Sequence, residues 1–205
     1  MSASTRLIVG ISGASGVTYG VRLLEILRDL PVETHLVMTK AAEVTLAHET
    51  GHKVAAVQAL ANHAYAVTDI AAAIASGSFR TCGMIVAPCS IRSMSEIAHG
   101  TTSTLLTRAA DVTLKERRPL VLMVRETPLH LGHLRSMTAL AEMGAIIAPP
   151  VPAFYAEPAT LNDMVDHTLG RLLDLFGLDA PQMTRWGESD AAPATLRALR
   201  RTKPG

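Results

Sequence analysis

Gly10-Ile11-Ser12-Gly13-Ala14-Ser15-Gly16-Val17-Thr18-Tyr19-Gly20 follows directly on the apolar run Leu7-Ile8-Val9. A strand that enters a glycine- and serine-rich turn and then a helix makes an anion site. The glycines allow tight backbone, and the first helical N–H groups face outward at the positive end of the helix dipole. In α/β proteins such a turn at the end of the first strand binds phosphorylated ligands, although the same turn also serves as a plain connection. The glycines stand at positions 10, 13, 16 and 20, so the dinucleotide spacing G-x-G-x-x-G is absent. The second apolar segment ends in Thr39-Lys40 rather than in an acid for a ribose hydroxyl. A mononucleotide such as a flavin phosphate fits this pattern better than NAD.

Working outward, strands and helices alternate. Strands are expected at Arg6–Ser12, Thr34–Met38, Met84–Ala87, Leu120–Val124 and Ala145–Ile147. Helices are expected at Ser15–Asp29, with Ser15 as N-cap, and at Lys40–Thr50, Ser93–His99, Leu105–Glu116, Leu131–Met143 and Leu161–Phe176. Residues 54–79 read as irregular, and Pro149-Pro150-Val151-Pro152 as a stiff linker. Short apolar strands between helices imply a parallel sheet covered on both faces. The expected fold is therefore a single-domain, three-layer α/β/α subunit with a Rossmann/flavodoxin-like parallel sheet. Right-handed crossovers put Gly13–Gly16, Thr39-Lys40, Pro88–Ser93 and Arg125–Thr127 on one edge.

The bulk numbers agree with one sizeable core in 205 residues. A net charge of +1 points to neither nucleic acid nor an acidic membrane, and 3% aromatic residues disfavour a base-stacking platform. Hydrophobic residues reach 48% while charged residues are only 18%, below the roughly 25% of an average domain. That excess implies apolar surface buried between subunits. No apolar run approaches the ~20 residues of a membrane span, and the N-terminal residues lead into a core strand rather than a signal peptide. Cys82 and Cys89 read as reduced thiols in a cytoplasmic protein.

Four constellations carry candidate chemistry. Arg108 and Lys115 share one helical face; Arg125 follows a buried strand at the functional edge, and Arg171 lies on the last helix. Converging there, such cations would bind a second phosphate, although a solvated surface face is the usual explanation of such charges, least so for Arg125. Glu49 and Glu126 are carboxylates near that edge, suited to proton transfer or to local ion pairs. His48-Glu49-Thr50-Gly51-His52 matches the zinc peptidase pattern H-E-x-x-H, but Gly51 ends the helix that such a site needs. Pro88-Cys89-Ser90-Ile91-Arg92-Ser93 offers hydroxyl and amide groups at a strand end, with Cys89 read as a buried core thiol.

Taken together, several segments strongly resemble the bacterial flavin prenyltransferases, long described as 3-octaprenyl-4-hydroxybenzoate or phenylacrylic acid decarboxylases. They are Gly13-Ala14-Ser15-Gly16 with Tyr19-Gly20; Pro88-Cys89-Ser90; Arg108-Ala109-Ala110-Asp111 through Lys115-Glu116-Arg117-Arg118-Pro119-Leu120; Arg125-Glu126-Thr127-Pro128-Leu129; Pro152-Ala153-Phe154-Tyr155; and Arg185-Trp186-Gly187. The resemblance covers roughly residues 5–187. It implies a flavoprotein domain over residues 1–188 and a separate basic tail at 189–205.

The implied activity is transfer of a dimethylallyl group from dimethylallyl monophosphate to N5 and then C6 of reduced FMN, without a metal. The product, prenylated FMN, serves a partner decarboxylase, in many bacteria for ubiquinone synthesis. The implied assembly is a homo-oligomer, typically a dodecamer. Carried over by position, Gly13, Ala14, Ser15, Thr39, Ser90, Ile91, Arg92, Ser93 and Arg125 would hold FMN. Lys115, Arg125, Tyr155 and Arg171, with Arg108 nearby, would hold the prenyl phosphate, and Trp186 would line the prenyl pocket. Ser15, Glu49, Glu126 and Lys115 would be catalytic. Two departures are small: Arg92 replaces a common Lys or other polar residue, and the basic tail is longer. The rivals are a flavin-dependent cysteine decarboxylase, whose Pro-x-Met-Asn-x-x-Met-Trp segment is absent, and a non-enzymatic FMN carrier.

Overall fold

A computed structural model of the chain describes residues 5–180. Among these residues, six strands form one parallel sheet: β1 (Thr5–Ile11), β2 (Val32–Met38), β3 (His63–Tyr65), β4 (Gly83–Cys89), β5 (Leu120–Val124) and β6 (Ile146–Ile147). Their order is β3-β2-β1-β4-β5-β6, the arrangement of a doubly wound Rossmann-type sheet. The helices are α1 (Thr18–Arg28), α2 (Lys40–Glu49), α3 (Val54–Gln58), α4 (Ile91–Ala98), α5 (Leu105–Lys115), α6 (Leu131–Glu142) and α7 (Leu161–Asp174).

The two faces of the sheet carry separate cores because side chains alternate along each strand. Leu7, Val9 and Ile11 of β1 pack with Leu23, Leu24 and Leu27 of α1, Leu46 of α2, and Leu169 and Leu173 of α7. Ile8 between them points to the other layer, where Met84 and Val86 meet Met94 of α4, Leu106 and Ala109 of α5, and Leu140 of α6. Both faces are covered, which is why β1, β4 and β5 read as continuous apolar runs. Outside the core, Arg22 of α1 grips Asp166 of α7 with two hydrogen bonds of 2.7 and 3.0 Å, fixing the last helix beside the first.

Three sequence expectations need correction. Helix α1 begins at Thr18, and its N-cap is Val17 rather than Ser15. The stretch read as irregular contains α3 and the edge strand β3, which pairs with β2 through His35–His63, Leu36–Ala64 and Val37–Tyr65. Its His-Ala-Tyr sequence lacks the β-branched residues that mark the other strands. Strand β4 runs to Cys89, two residues beyond the expected end.

Candidate active site

The chain reverses its winding between β1 and β4, which are adjacent in the sheet but lead into helices on opposite faces. Beyond the carboxyl ends of such strands, the connecting loops separate and leave a crevice. Here the crevice is a cavity of about 530 Å³ lined by Gly13, Ala14, Ser15, Thr39, Ser90, Ile91, Arg92, Ser93, Arg125 and Glu126. Four loops that are distant in sequence thus meet at one sheet edge, as the alternation of elements predicts. Lys40, expected on this edge beside Thr39, completes the lining with Ala41, Val67, Glu96 and Thr104, for which the sequence carries no local signal.

A fully buried serine that the sequence reading passed over holds these loops in register. Ser12 Oγ donates to the Pro88 carbonyl at 3.0 Å and accepts the Ser90 N–H at 2.7 Å. The Ser12 N–H also donates to the Pro88 carbonyl, at 3.1 Å, and the Arg125 N–H donates to the Cys89 carbonyl at 3.2 Å. The Thr39 N–H closes on the Ile11 carbonyl at 3.0 Å. Strand-end amides are therefore satisfied by neighbouring strand ends, which leaves the side chains of Ser15, Arg92 and Arg125 to face the cavity. Gly13 is required by packing, since a Cβ there would overlap the Ala41 side chain at the start of α2. Gly16 is required by conformation, with φ at +93°.

The amides at the start of α1 do not await a phosphate, contrary to the sequence expectation. Glu49 Oε2, from the last turn of α2, accepts the N–H groups of Gly16 at 2.8 Å and Val17 at 3.1 Å. Burial pushes the Glu49 carboxyl up. Hydrogen bonds from Ser15, Gly16 and Val17, together with the Arg125 charge, outweigh that and hold it below its ordinary value. The positive ends of two other helices serve the cavity instead. Thr39 caps α2 by accepting the Ala42 N–H at 3.1 Å, and Ser90 caps α4 by accepting the Ser93 N–H at 3.3 Å. The first-turn amides beyond those caps have no intrahelical acceptor and suit an anion.

Arg108, Lys115, Tyr155 and Arg171 do not line the cavity that holds Arg125. Lys115 closes α5 beside Glu116, which it pairs at 2.5 Å, and the next residues bond to the amino end of β4. Arg125 follows the opposite end of β5. The five residues of that strand alone separate the two by about 16 Å. Arg108 bonds to Asp111 at 2.7 Å and to the Ala75 carbonyl at 3.3 Å. Tyr155 lies in the turn Phe154–Ala156, its hydroxyl 3.2 Å from His167 Nε2, and Arg171 pairs with Asp174 at 2.8 Å. Glu126 lines the cavity and accepts its neighbour Thr127 N–H at 2.9 Å. Trp186 lies outside the described residues, as do the expected boundary at 188 and the tail.

Two alternative chemistries lack their geometry. Helix α2 ends at Glu49, so His52 lies beyond the helix that a two-histidine zinc motif requires, and Glu49 is committed to the Gly16 loop. Cys89 is fully buried, and burial pushes its thiol up to about 12, far from a reactive thiolate.

The chain is 60% identical over 184 residues to flavin prenyltransferase UbiX of Escherichia coli K12, which covers 88% of this chain and 97% of that one. The pattern of the Flavoprotein family matches residues 1–173. The chain belongs to the flavin prenyltransferases of the Flavoprotein family. As a flavin prenyltransferase it also matches solved relatives closely. The crystal structure of AnUbiX (PadA1) in complex with FMN and dimethylallyl pyrophosphate superposes with a TM-score of 0.89 at 47% identity, covering 91% of this chain and 99% of that one. The dodecameric FMN-dependent UbiX-like decarboxylase from Escherichia coli O157:H7 gives a TM-score of 0.87 at 51% identity, covering 89% and 99%. The resemblance seen in the sequence motifs therefore holds for family, fold and enzyme class. Neither the cysteine decarboxylase reading nor the carrier reading gains better support. Among the described residues, no helix is long and apolar enough to cross a membrane.

Proposed function

We propose that this flavin prenyltransferase moves a dimethylallyl group from dimethylallyl monophosphate to reduced FMN in the cavity at the β1–β4 switch point, and hands the prenylated FMN to a decarboxylase. The observation that carries this reading is the convergence of Gly13–Ser15, Thr39, Ser90–Ser93 and Arg125 on one cavity edged by two capped helix N-termini. The FMN phosphate sits where the α2 and α4 N-termini meet, with Arg92 adding charge. The backbone of Gly13 and Ala14 lies along the ring, held in place by the close packing of Gly13 on Ala41. Bound reduced FMN would supply N5, which displaces phosphate from the allylic carbon, and C6, which would bond to the alkene end of the transferred prenyl group once that alkene is protonated, losing its own proton.

The residues of the chain act on charge and protons. As the carbon–oxygen bond breaks, negative charge grows on the departing phosphate. Arg125 is placed to stabilise it without a metal. Glu49 is ionised at neutral pH and held beside Ser15, so the pair accepts and relays a proton from the flavin edge. Glu126 follows Arg125 and takes the second proton.

Arg108, Lys115, Tyr155 and Arg171 complete the phosphate site from neighbouring subunits, since none of them lines the cavity of its own chain. Exposed Val151, Phe154 and Leu161 supply apolar surface for that assembly, with fractional exposures of 71%, 75% and 79%. A closed homo-oligomer such as a dodecamer satisfies this requirement. Residues 1–188 are assigned to the enzyme domain, and the compartment is the cytoplasm. The test is anaerobic reaction of the protein with reduced FMN and dimethylallyl monophosphate, read as the mass of the flavin.

A further inference from the structure

Outside the flavin cavity, one cluster of metal-ligating side chains is assembled with unusual order. Strands β2 and β3 place His35 directly opposite His63. Glu33 lies two residues before His35 and so shares its face of the sheet. We infer that Glu33, His35 and His63 form a binding site for one zinc-class divalent cation that pins the edge strand β3 to β2.

The spacing suits such an ion. Glu33 Oε1 lies 3.0 Å from His63 Nε2 and 3.4 Å from His35 Nε2, and one donor atom from each residue falls within 4.8 Å of the others. A tetrahedral ion with bonds of about 2.0–2.1 Å holds its ligands roughly 3.3 Å apart. Two imidazoles and a carboxylate are a donor set for zinc and its late first-row neighbours rather than for magnesium or calcium.

The second observation is the state of His35, whose ring is 1% exposed. Its Nδ1 lies 2.9 Å from the Tyr65 hydroxyl. Its Nε2 is buried without a hydrogen-bond partner, because the approach to Glu33 is not aligned for one. With an ion bound, Nδ1–H would donate to Tyr65 and Nε2 would turn its lone pair to the metal, giving that buried atom the partner it lacks.

The outer shell is also in place. Arg6 Nε holds the other Glu33 oxygen at 3.0 Å, and the Arg6 guanidinium rests 4.7 Å over the Phe79 ring, so Oε1 is the oxygen turned to the two histidines, with His63 Nε2 within hydrogen-bond distance of it. Tyr65 orients His35 as outer partners orient ligating histidines. His63 is half exposed, which gives an entry path and room for a water as fourth ligand. The function of the ion is structural. Strand β3 has three residues and one strand partner, and His35 lies four residues, about 13 Å along the strand, before the cavity residue Thr39.

The experiment uses the full chain stripped of metal by a chelator and titrated with zinc chloride against a chromophoric competitor, with thermal unfolding measured in parallel. One equivalent per chain and a raised unfolding temperature are expected. His63→Ala and Glu33→Gln, both at the accessible side of the cluster, should weaken binding by at least about 10–100-fold. Tyr65→Phe should weaken it less, and His52→Ala should leave it unchanged. Flavin prenylation by His63→Ala should match the parent, since the site stands apart from the flavin cavity. Cobalt(II) in place of zinc should give a tetrahedral absorption spectrum that His63→Ala abolishes. Absence of zinc binding in the micromolar range by the folded parent protein overturns the inference. Equal affinity in His63→Ala and the parent overturns it as well.

Discussion

Glu49 Oε2 accepts the backbone N–H of Gly16 at 2.8 Å, a contact between residues 33 apart in sequence. The bond ties the end of the second helix to the loop before the first. It thereby fixes an ionised carboxylate beside Ser15 and within the field of Arg125. A group in that position can serve the loop and the chemistry together, and the two roles separate experimentally.

Glu49→Gln keeps an oxygen able to accept the Gly16 and Val17 N–H groups but loses the charge. The variant should bind FMN and slow product formation by about 10²–10⁴-fold, the range of general acid–base catalysis. Stability follows the sign of the shift. The folded Glu49 carboxyl sits below its ordinary 4.5, so its stabilising contribution is present above that pH and disappears as pH falls through the lower folded value. Acid unfolding of parent and variant should differ above pH 4.5 and converge below the folded value. Parent-rate turnover by Glu49→Gln contradicts the catalytic role.

Gly13→Ala tests how closely the loop must approach α2. The added methyl would overlap Ala41, and the neighbour is backbone-anchored at the start of α2. Relief requires the loop or the helix to move, at about 1–3 kcal/mol. FMN affinity, measured by flavin fluorescence, should fall accordingly while the far-ultraviolet circular dichroism stays unchanged. Unaltered affinity would mean that the loop does not contact the flavin.

Cys89 should be inert. Its burial and raised thiol predict no labelling by iodoacetamide in the folded protein at pH 8, with labelling restored by denaturant. Rapid labelling accompanied by loss of activity would return Cys89 to the list of nucleophiles.

The sheet and its functional edge were legible in the sequence because each rests on local signals: apolar runs, glycine turns and the alternation of strands with helices. What escaped was set by contacts across the fold. Strand β3 is defined by its pairing with β2 rather than by its own composition. Ser12 reads as one more serine until β4 lies beside it. The capping of the α1 loop by Glu49 spans too much chain to be seen as a local motif, which is why Ser15 was assigned the role. Lys115 and Arg125 are only ten residues apart in sequence, but strand β5 runs between them and sets them toward its opposite ends.

That separation makes subunit mixing informative. Arg125→Ala and Lys115→Ala should each lose activity, Lys115→Ala by about 10²–10³-fold as expected for a charged contact in a preorganised site. Hybrid oligomers formed from the two inactive proteins should recover activity, because an intact Arg125 in one protomer can face an intact Lys115 from another. Failure to recover, with hybrids verified by native mass spectrometry, would place both residues in a single-chain site.

The most direct measurement is anaerobic incubation of the purified enzyme with reduced FMN and dimethylallyl monophosphate, without added metal, followed by mass spectrometry of the released flavin. The cavity at the β1–β4 switch point predicts a flavin heavier by one five-carbon prenyl unit, with release of one phosphate for each flavin modified. Flavin of unchanged mass, recovered from folded and FMN-loaded enzyme with the prenyl phosphate intact, would contradict it.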